Sequence, residues 1–307
     1  MQYDLTHQAG VIKAVDGFVD WVLNLELNQS SFIIHLCSLI PAFQIFDQDD
    51  IEYSASIQAF KDMTQVIEAV RGTLCIEDYL LQLSPIEVLK LVRRLKDHRS
   101  LILDEIRLFR QQESDNQISF LTYVQQMIHD HYQVLIVRVD LGYLKDSMSN
   151  VTVHDFYLHI QSLCKYLKDK NGCFKHLLGY GLALEQGYKK GYHAHLMLVY
   201  NGSERCQDWY LGDQVILKWH AITHSWGYGR NGNTKENKEQ FAIKGLLGIG
   251  MIHRKHPKEF QNALNVAKYL TNPEKYLQQM LVKPINKRTF FKGIYRVHGR
   301  NYQLISD

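Results

Sequence analysis

The stretch ALEQGYKKGYHAHLMLVY, residues 183–200, constrains the fold more than any other part of the chain. Two apolar runs flank a polar turn bounded by glycines, the pattern of a β-hairpin. With a period of two, Ala194, Leu196, Leu198 and Tyr200 share one face, and His193, His195, Met197 and Val199 share the other. If the hairpin folds symmetrically about Lys189, Glu185 stands opposite His193 on the same face, with Cβ atoms roughly 4.5–5.5 Å apart. A slip of one residue would send Glu185 to the other face. In the symmetric register one carboxylate and two imidazoles converge and leave coordination positions open. That donor set suits a catalytic divalent ion, Mg²⁺ or Mn²⁺. The blander reading is a pair of solvent-facing histidines on an edge strand.

A chain of 307 residues, 46% hydrophobic and 22% charged, is expected to be a soluble globular protein of one large domain or two smaller ones. Five scattered cysteines without a C-x-x-C pair argue for a reducing compartment and against a disulfide framework. The start MQYDLTHQAG shows no signal peptide, so the expectation is a cytoplasmic protein. The apolar patch FIIHLCSLIPAF, residues 32–43, is too short to span a bilayer and reads as a buried helix, with no membrane partner expected. The net charge of +3 hides an asymmetry. Residues 171–307 carry 20 Lys and Arg against 9 Asp and Glu, whereas residues 1–170 carry 15 against 23. A basic half of this kind points to a nucleic-acid surface.

Up to about Gln117 the pattern is helical. Ser84, Pro85 and Glu87 form a capping box with proline at the first helical position. The polar run QQESDNQ lacks periodicity and predicts a boundary, giving a helical region 1–118 of unknown role and a second domain 119–307. In the second part VLIVRVDLGY reads as a strand whose second face is interrupted by Arg138 and Asp140. A helix over about 153–168, the hairpin, a helix from QDWYLGDQVILKWHAITHSW, a strand from FAIKGLLGIGMIH and a helix over 257–270 follow. The fold class is therefore α+β, a mostly antiparallel sheet flanked by helices with an N-terminal helical region. Two motifs are weaker. Gly227, Gly229 and Gly232 spell G-x-G-x-x-G but follow a helix, which predicts a mobile loop carrying Arg230 and Lys235. His220 and His224 have zinc-ligand spacing, yet Ala221 stands where a metalloprotease carries Glu.

The hairpin residues and NVAKYLTNP, 265–273, resemble two motifs of the HUH endonucleases, the rolling-circle replication initiators and relaxases. The first is similar to the His-hydrophobic-His strand that holds their metal, and the second to the helix carrying their nucleophilic tyrosine. The region from VRVDLGY to VAKYLTNP looks most like the inovirus replication-protein family, the YagK/YfjJ C-terminal domain, over roughly residues 120–290. The resemblance implies an HUH/RRM-like core and a DNA-nicking domain. It also implies a divalent Mg or Mn ion on Glu185, His193 and His195, and Tyr269 as a nucleophile forming a 5′-phosphotyrosine. Single-stranded or origin DNA is the implied partner, together with host replication proteins, and phage or prophage the implied origin. Lys268, Arg138, Arg230 and Asn272 are the candidate DNA contacts. Two positions depart from the two-tyrosine phage pattern: its first tyrosine is Asn265 here, and the lysine three residues after the nucleophile is Asn272.

The alternatives are a catalytically weak or inactive DNA-binding protein, and a metal-dependent phosphoesterase acting on small nucleotides. For Tyr269 the competing role is helix packing, against which its polar neighbours Asn262, Asn265 and Asn272 predict an exposed edge. Tyr276 is the rival nucleophile, expected on a different element because Asn272-Pro273 breaks the helix between them.

Overall fold

A computed structural model describes residues 4–24 and 28–295. Helices α1 (Gln8–Asn24) and α2 (Gln29–Phe46) open the chain, followed by strand β1 (Ile51–Tyr53), α3 (Ala55–Val70), α4 (Ile76–Leu81), α5 (Pro85–Asp97) and the long α6 (Arg99–Asp130). Then come β2 (Gln133–Tyr143), α7 (Val153–Asp169), the hairpin β3 (Leu177–Gly187) and β4 (Gly191–Asn201), α8 (Asp208–Ile222), β5 (Gly227–Asn231) and α9 (Lys235–Ile243). The chain continues with β6 (Gly250–His253), α10 (Pro257–Leu270), a 3-10 helix Pro273–Gln278, β7 (Val282–Pro284) and β8 (Phe290–Lys292). The fold is α+β, with an antiparallel sheet flanked by helices and an N-terminal helical region.

The main sheet has the order β5-β2-β4-β3-β8, and β6 pairs with β2 beyond the stretch that β5 occupies. Its two faces have separate cores. Leu135, Val137 and Val139 of β2 and Leu196 and Leu198 of β4 pack with residues of α1, α3, α7 and α8. Val134, Ile136, Met197 and Val199 pack instead against the last turns of α6 and against Ala263, Ala267 and Leu270 of α10. Along this second face the apolar residues give way to polar ones towards one end. Ile136 is followed two and four residues on by Arg138 and Asp140, Met197 is preceded by His195 and His193, and Ala183 is followed by Glu185. Period two keeps each series on the face that α10 covers.

Several expected boundaries move. The run at 111–117 lies inside α6, so residue 118 falls within a helix and not at a break between elements. Its polar residues carry their own support, since Gln111 donates to Asp115 (3.0 Å) and Gln112 to Asn116 (3.3 Å) across one turn. A mostly exposed helix segment needs no apolar stripe. The first helices also share the core of the sheet, and β1 pairs with β7 from the far end of the chain. The glycine-rich segment is strand β5 and then α9, not a loop. Gly229 packs against Ile216 of α8, and Gly232 faces the Arg138 carbonyl, so packing accounts for these glycines. The strand expected from FAIKGLLGIGMIH shrinks to Gly250–His253, because Phe241–Ile243 ends α9, Gly245 takes positive φ in the turn that follows, and Gly250 takes positive φ at the first strand position. The capping box at Ser84 forms as expected, and the helix over 257–270 has the expected bounds.

Helix α2 extends beyond the apolar patch to 18 residues, and by length and composition it is the one helix among the described residues able to cross a membrane. One side of it, Phe32, Leu36, Leu39, Ile40 and Phe43, is buried in the core. The five cysteines are free thiols.

Candidate metal centre

The hairpin forms in the symmetric register, with Glu185 paired to His193 and Gly187 to Gly191. Gly191 has φ +59°, a left-handed conformation that closes the turn. Glu185, His193 and His195 are 6%, 5% and 6% exposed, so the solvent-facing reading of the histidines fails. Their ligand atoms lie within 4.8 Å of one another. Glu185 Oε2 stands 3.1 Å from His195 Nε2 and 3.4 Å from His193 Nε2.

The opposite ring nitrogens determine what this cluster can hold. His193 Nδ1–H donates to the Gly191 carbonyl (3.1 Å), and His195 Nδ1–H donates to Asp140 Oδ1 (2.5 Å). A carbonyl and a carboxylate accept only, so both Nδ1 atoms carry protons. In the neutral rings each Nε2 then presents a lone pair to a carboxylate oxygen. Three acceptors face one another, and only a cation or an added proton relieves the arrangement. The residues therefore fit a divalent ion, and Asp140 behind His195 is the carboxylate–histidine support usual for metal ligands.

The ionisation follows the same geometry. Burial works against the Glu185 carboxylate, but its contacts with His193 and His195, the charge that His195 carries once protonated and the charge of Lys275 outweigh it and hold its pKa well below the usual range. Burial would lower the His195 pKa, yet the hydrogen bonds to Asp140 and Glu185, with their charges, raise it above the ordinary imidazole value.

Tyr269 is half exposed on α10 and lines a groove together with His195, Asp140, Arg138, Arg230 and Asn265. Two cations bracket its ring, Lys275 Nζ at 4.1 Å and the Arg138 guanidinium at 4.9 Å from the centroid. Lys275 also reaches a ligand, and Arg138 the carboxylate behind one. Lys275 Nζ donates to Glu185 Oε1 (2.8 Å), while Arg138 Nε lies 3.7 Å from Asp140. Arg230 pairs across β5 and β2 with Asp140, so it projects to the same face.

Other expected contacts are not brought together. Lys268 is exposed and absent from the groove lining, because one residue along a helix turns it about 100° from Tyr269. Asn272 caps the 3-10 helix, accepting from the Glu274 amide (3.1 Å), so its side chain is spent on the backbone. Asn262 is buried rather than exposed, and its amide donates to the Gly245 and Leu247 carbonyls. Tyr276 sits on the 3-10 helix, as the Asn272-Pro273 break predicts, with Arg110 over its ring. His224 lies beyond the end of α8 at φ +50°, so the zinc-like spacing with His220 is not on a helix.

Lys275 escaped the sequence reading. It follows the helix break, and only the return of the chain through the 3-10 helix brings it to Glu185. For Asp140 there was a signal, a carboxylate in an otherwise apolar strand, but its partner depended on the β2–β4 register that pairs it with His195. No protein-family model matches the chain, and no curated protein or solved structure matches it either.

Proposed function

We propose that the protein is a DNA-nicking enzyme of the HUH type, an initiator of rolling-circle replication acting on single-stranded origin DNA. One observation carries this reading: the Glu185–His193–His195 cluster and Tyr269 share one end of one sheet face, bridged by Lys275 and Arg138. A divalent ion such as Mg²⁺ or Mn²⁺ on the three ligands would neutralise charge on the scissile phosphate.

The chain's own residues account for the rest. Arg138 and Arg230 line the groove and would hold the DNA backbone beside Tyr269. The Tyr269 hydroxyl attacks phosphorus, the bond to the 3′ oxygen breaks, and the 5′-phosphate remains on the tyrosine while a 3′-hydroxyl leaves. Lys275 against the ring holds Tyr269 beside the ligand Glu185, so its hydroxyl is kept near the phosphate that the ion would bind. Half exposure leaves Tyr269 accessible to a polymeric substrate.

A second reading, DNA binding without cleavage, draws support from Asn272, whose side chain is committed to capping where the resembling initiators carry lysine. The two readings separate on a denaturing gel. After incubation with single-stranded origin DNA and Mn²⁺, the nicking reading expects a covalent protein–DNA adduct that disappears in Tyr269→Phe while DNA binding survives. An adduct retained in Tyr269→Phe and lost in Tyr276→Phe would move the nucleophile. No adduct from the wild type on the true origin would leave the binding-only reading.

A further inference from the structure

A second cluster with metal-ligand chemistry lies away from the groove, where β6 runs into α10. The sequence H-R-K-H-P-K-E spaces His253, His256 and Glu259 three residues apart, and their ligand atoms lie within 4.8 Å of one another. His253 Nδ1 is 3.0 Å from Glu259 Oε2, and His256 Nδ1 is 2.8 Å from Glu259 Oε1. The two ring centroids are 5.0 Å apart. We infer that His253, His256 and Glu259 form a divalent transition-metal site, suited to Zn²⁺, that clips strand β6 to the first turn of the helix carrying Tyr269.

The geometry needs little adjustment. A tetrahedral ion with bonds of about 2.0–2.1 Å separates its ligand atoms by roughly 3.3 Å. The two observed N–O separations are a few tenths of an ångström shorter, which an inserted ion would open. Two imidazoles and a carboxylate, with the fourth position left to water, match borderline-soft ions such as Zn²⁺. Side-chain exposures of 32%, 61% and 35% for His253, His256 and Glu259 leave the site open to ions from solution.

Helix capping alone does not account for the arrangement. Glu259 is the third residue after the N-cap His256, the place from which a capping-box carboxylate reaches back to the N-cap amide. Here it passes that amide and instead accepts from the His253 amide (2.9 Å) and faces both rings. Three cations sit in the same segment, Arg254, Lys255 and Lys258, and would oppose a bound ion. Two of them are directed elsewhere: Arg254 donates to the His129 carbonyl (3.2 Å), and the Lys258 ammonium lies beside Gly245.

The test is metal stoichiometry on the full chain, with Zn²⁺ as the probe. Both clusters offer one carboxylate and two imidazoles, so the wild type should bind two Zn²⁺. His193→Ala/His195→Ala should retain one, and its melting temperature should still rise with Zn²⁺ by at least about 2 °C. Adding His253→Ala/His256→Ala should abolish both the residual ion and the rise. Glu259→Gln keeps an acceptor for the His253 amide, so it should fold with unchanged cooperativity yet lose that ion. Retention of the ion by both the His253→Ala/His256→Ala and Glu259→Gln proteins in the His193→Ala/His195→Ala background would overturn the inference, as would no binding at all in that background. A wild type that binds one Zn²⁺, lost with His253 and His256 and kept without His193 and His195, would support this site and count against the metal of the proposed nicking centre.

Discussion

His195 is the residue on which the candidate centre turns. Its Nδ1 is committed to Asp140, and its Nε2 faces Glu185, so a proton and a metal ion compete for the same lone pair. Its pKa is raised, which gives the metal-free protein a definite pH dependence. The folded state holds the His195 proton more tightly than the unfolded one. That stabilisation is complete below about pH 6.5, the unfolded value, and is lost as pH rises through the raised folded value. Metal binding must displace the proton, so it runs the other way. The melting-temperature rise given by Mn²⁺ should be small at about pH 6 and should grow as pH climbs past the His195 pKa. A shift independent of pH would show that His195 is no ligand. Asp140→Asn takes the charge from behind His195 and should weaken Mn²⁺ binding by about 10–100-fold, measured by titration calorimetry.

Among the elements, α6 and α10 hold the site face in place, and two glycines of β3 set how closely α6 approaches. A Cβ on Gly181 would overlap the Phe120 ring and come within 3.0 Å of Leu270 of α10, and one on Gly179 would overlap Tyr123. Gly181→Ala should therefore destabilise the protein by about 1–3 kcal/mol, seen as a lower midpoint in urea unfolding. Because Leu270 adjoins Tyr269, this variant should also lower adduct formation relative to its effect on DNA binding. An unchanged midpoint would mean that α6 can withdraw from the sheet without cost. On the exposed part of α6 the sequence was misleading, since an apolar stripe marks a helix only where the helix has something to bury it against.

For the whole molecule, the acidic helical half and the basic half are one structure. Gln8 Oε1 accepts from the Tyr192 hydroxyl (3.0 Å) and the Val153 amide (2.6 Å), and Gln186 donates to the Ala9 carbonyl (3.1 Å). A fragment of residues 119–307 would expose the sheet face that α1 and α3 cover and would cut α6 in two. It should show no cooperative thermal unfolding by circular dichroism, and a fragment that unfolds cooperatively would restore the boundary near residue 118. Binding tests therefore belong to the full chain. Its affinity for single-stranded DNA should fall steeply with salt, and Arg138→Ala or Arg230→Ala should each lessen the log–log slope by about 0.7, one phosphate contact's share on single strands. A slope that neither substitution alters would place the DNA away from the groove.

What the sequence determined by itself was local and periodic. Alternation over residues 177–200 settled the hairpin strands and the shared face of His193 and His195, because strand geometry leaves a side chain only two directions. The register that brings Glu185 to that face came with the folded turn. Pro257 at the first helical position and the Asn272-Pro273 break set the bounds of α10 and the separation of Tyr276 from Tyr269. The tertiary structure decided what lies between segments distant in the chain. That Asp140 supports His195 depended on a strand pairing 55 residues apart, and that Lys275 joins Glu185 depended on a contact 90 residues apart. Spacing along one element carries no information about such contacts. They follow from which apolar faces bury each other, and burial is a property of the folded chain as a whole.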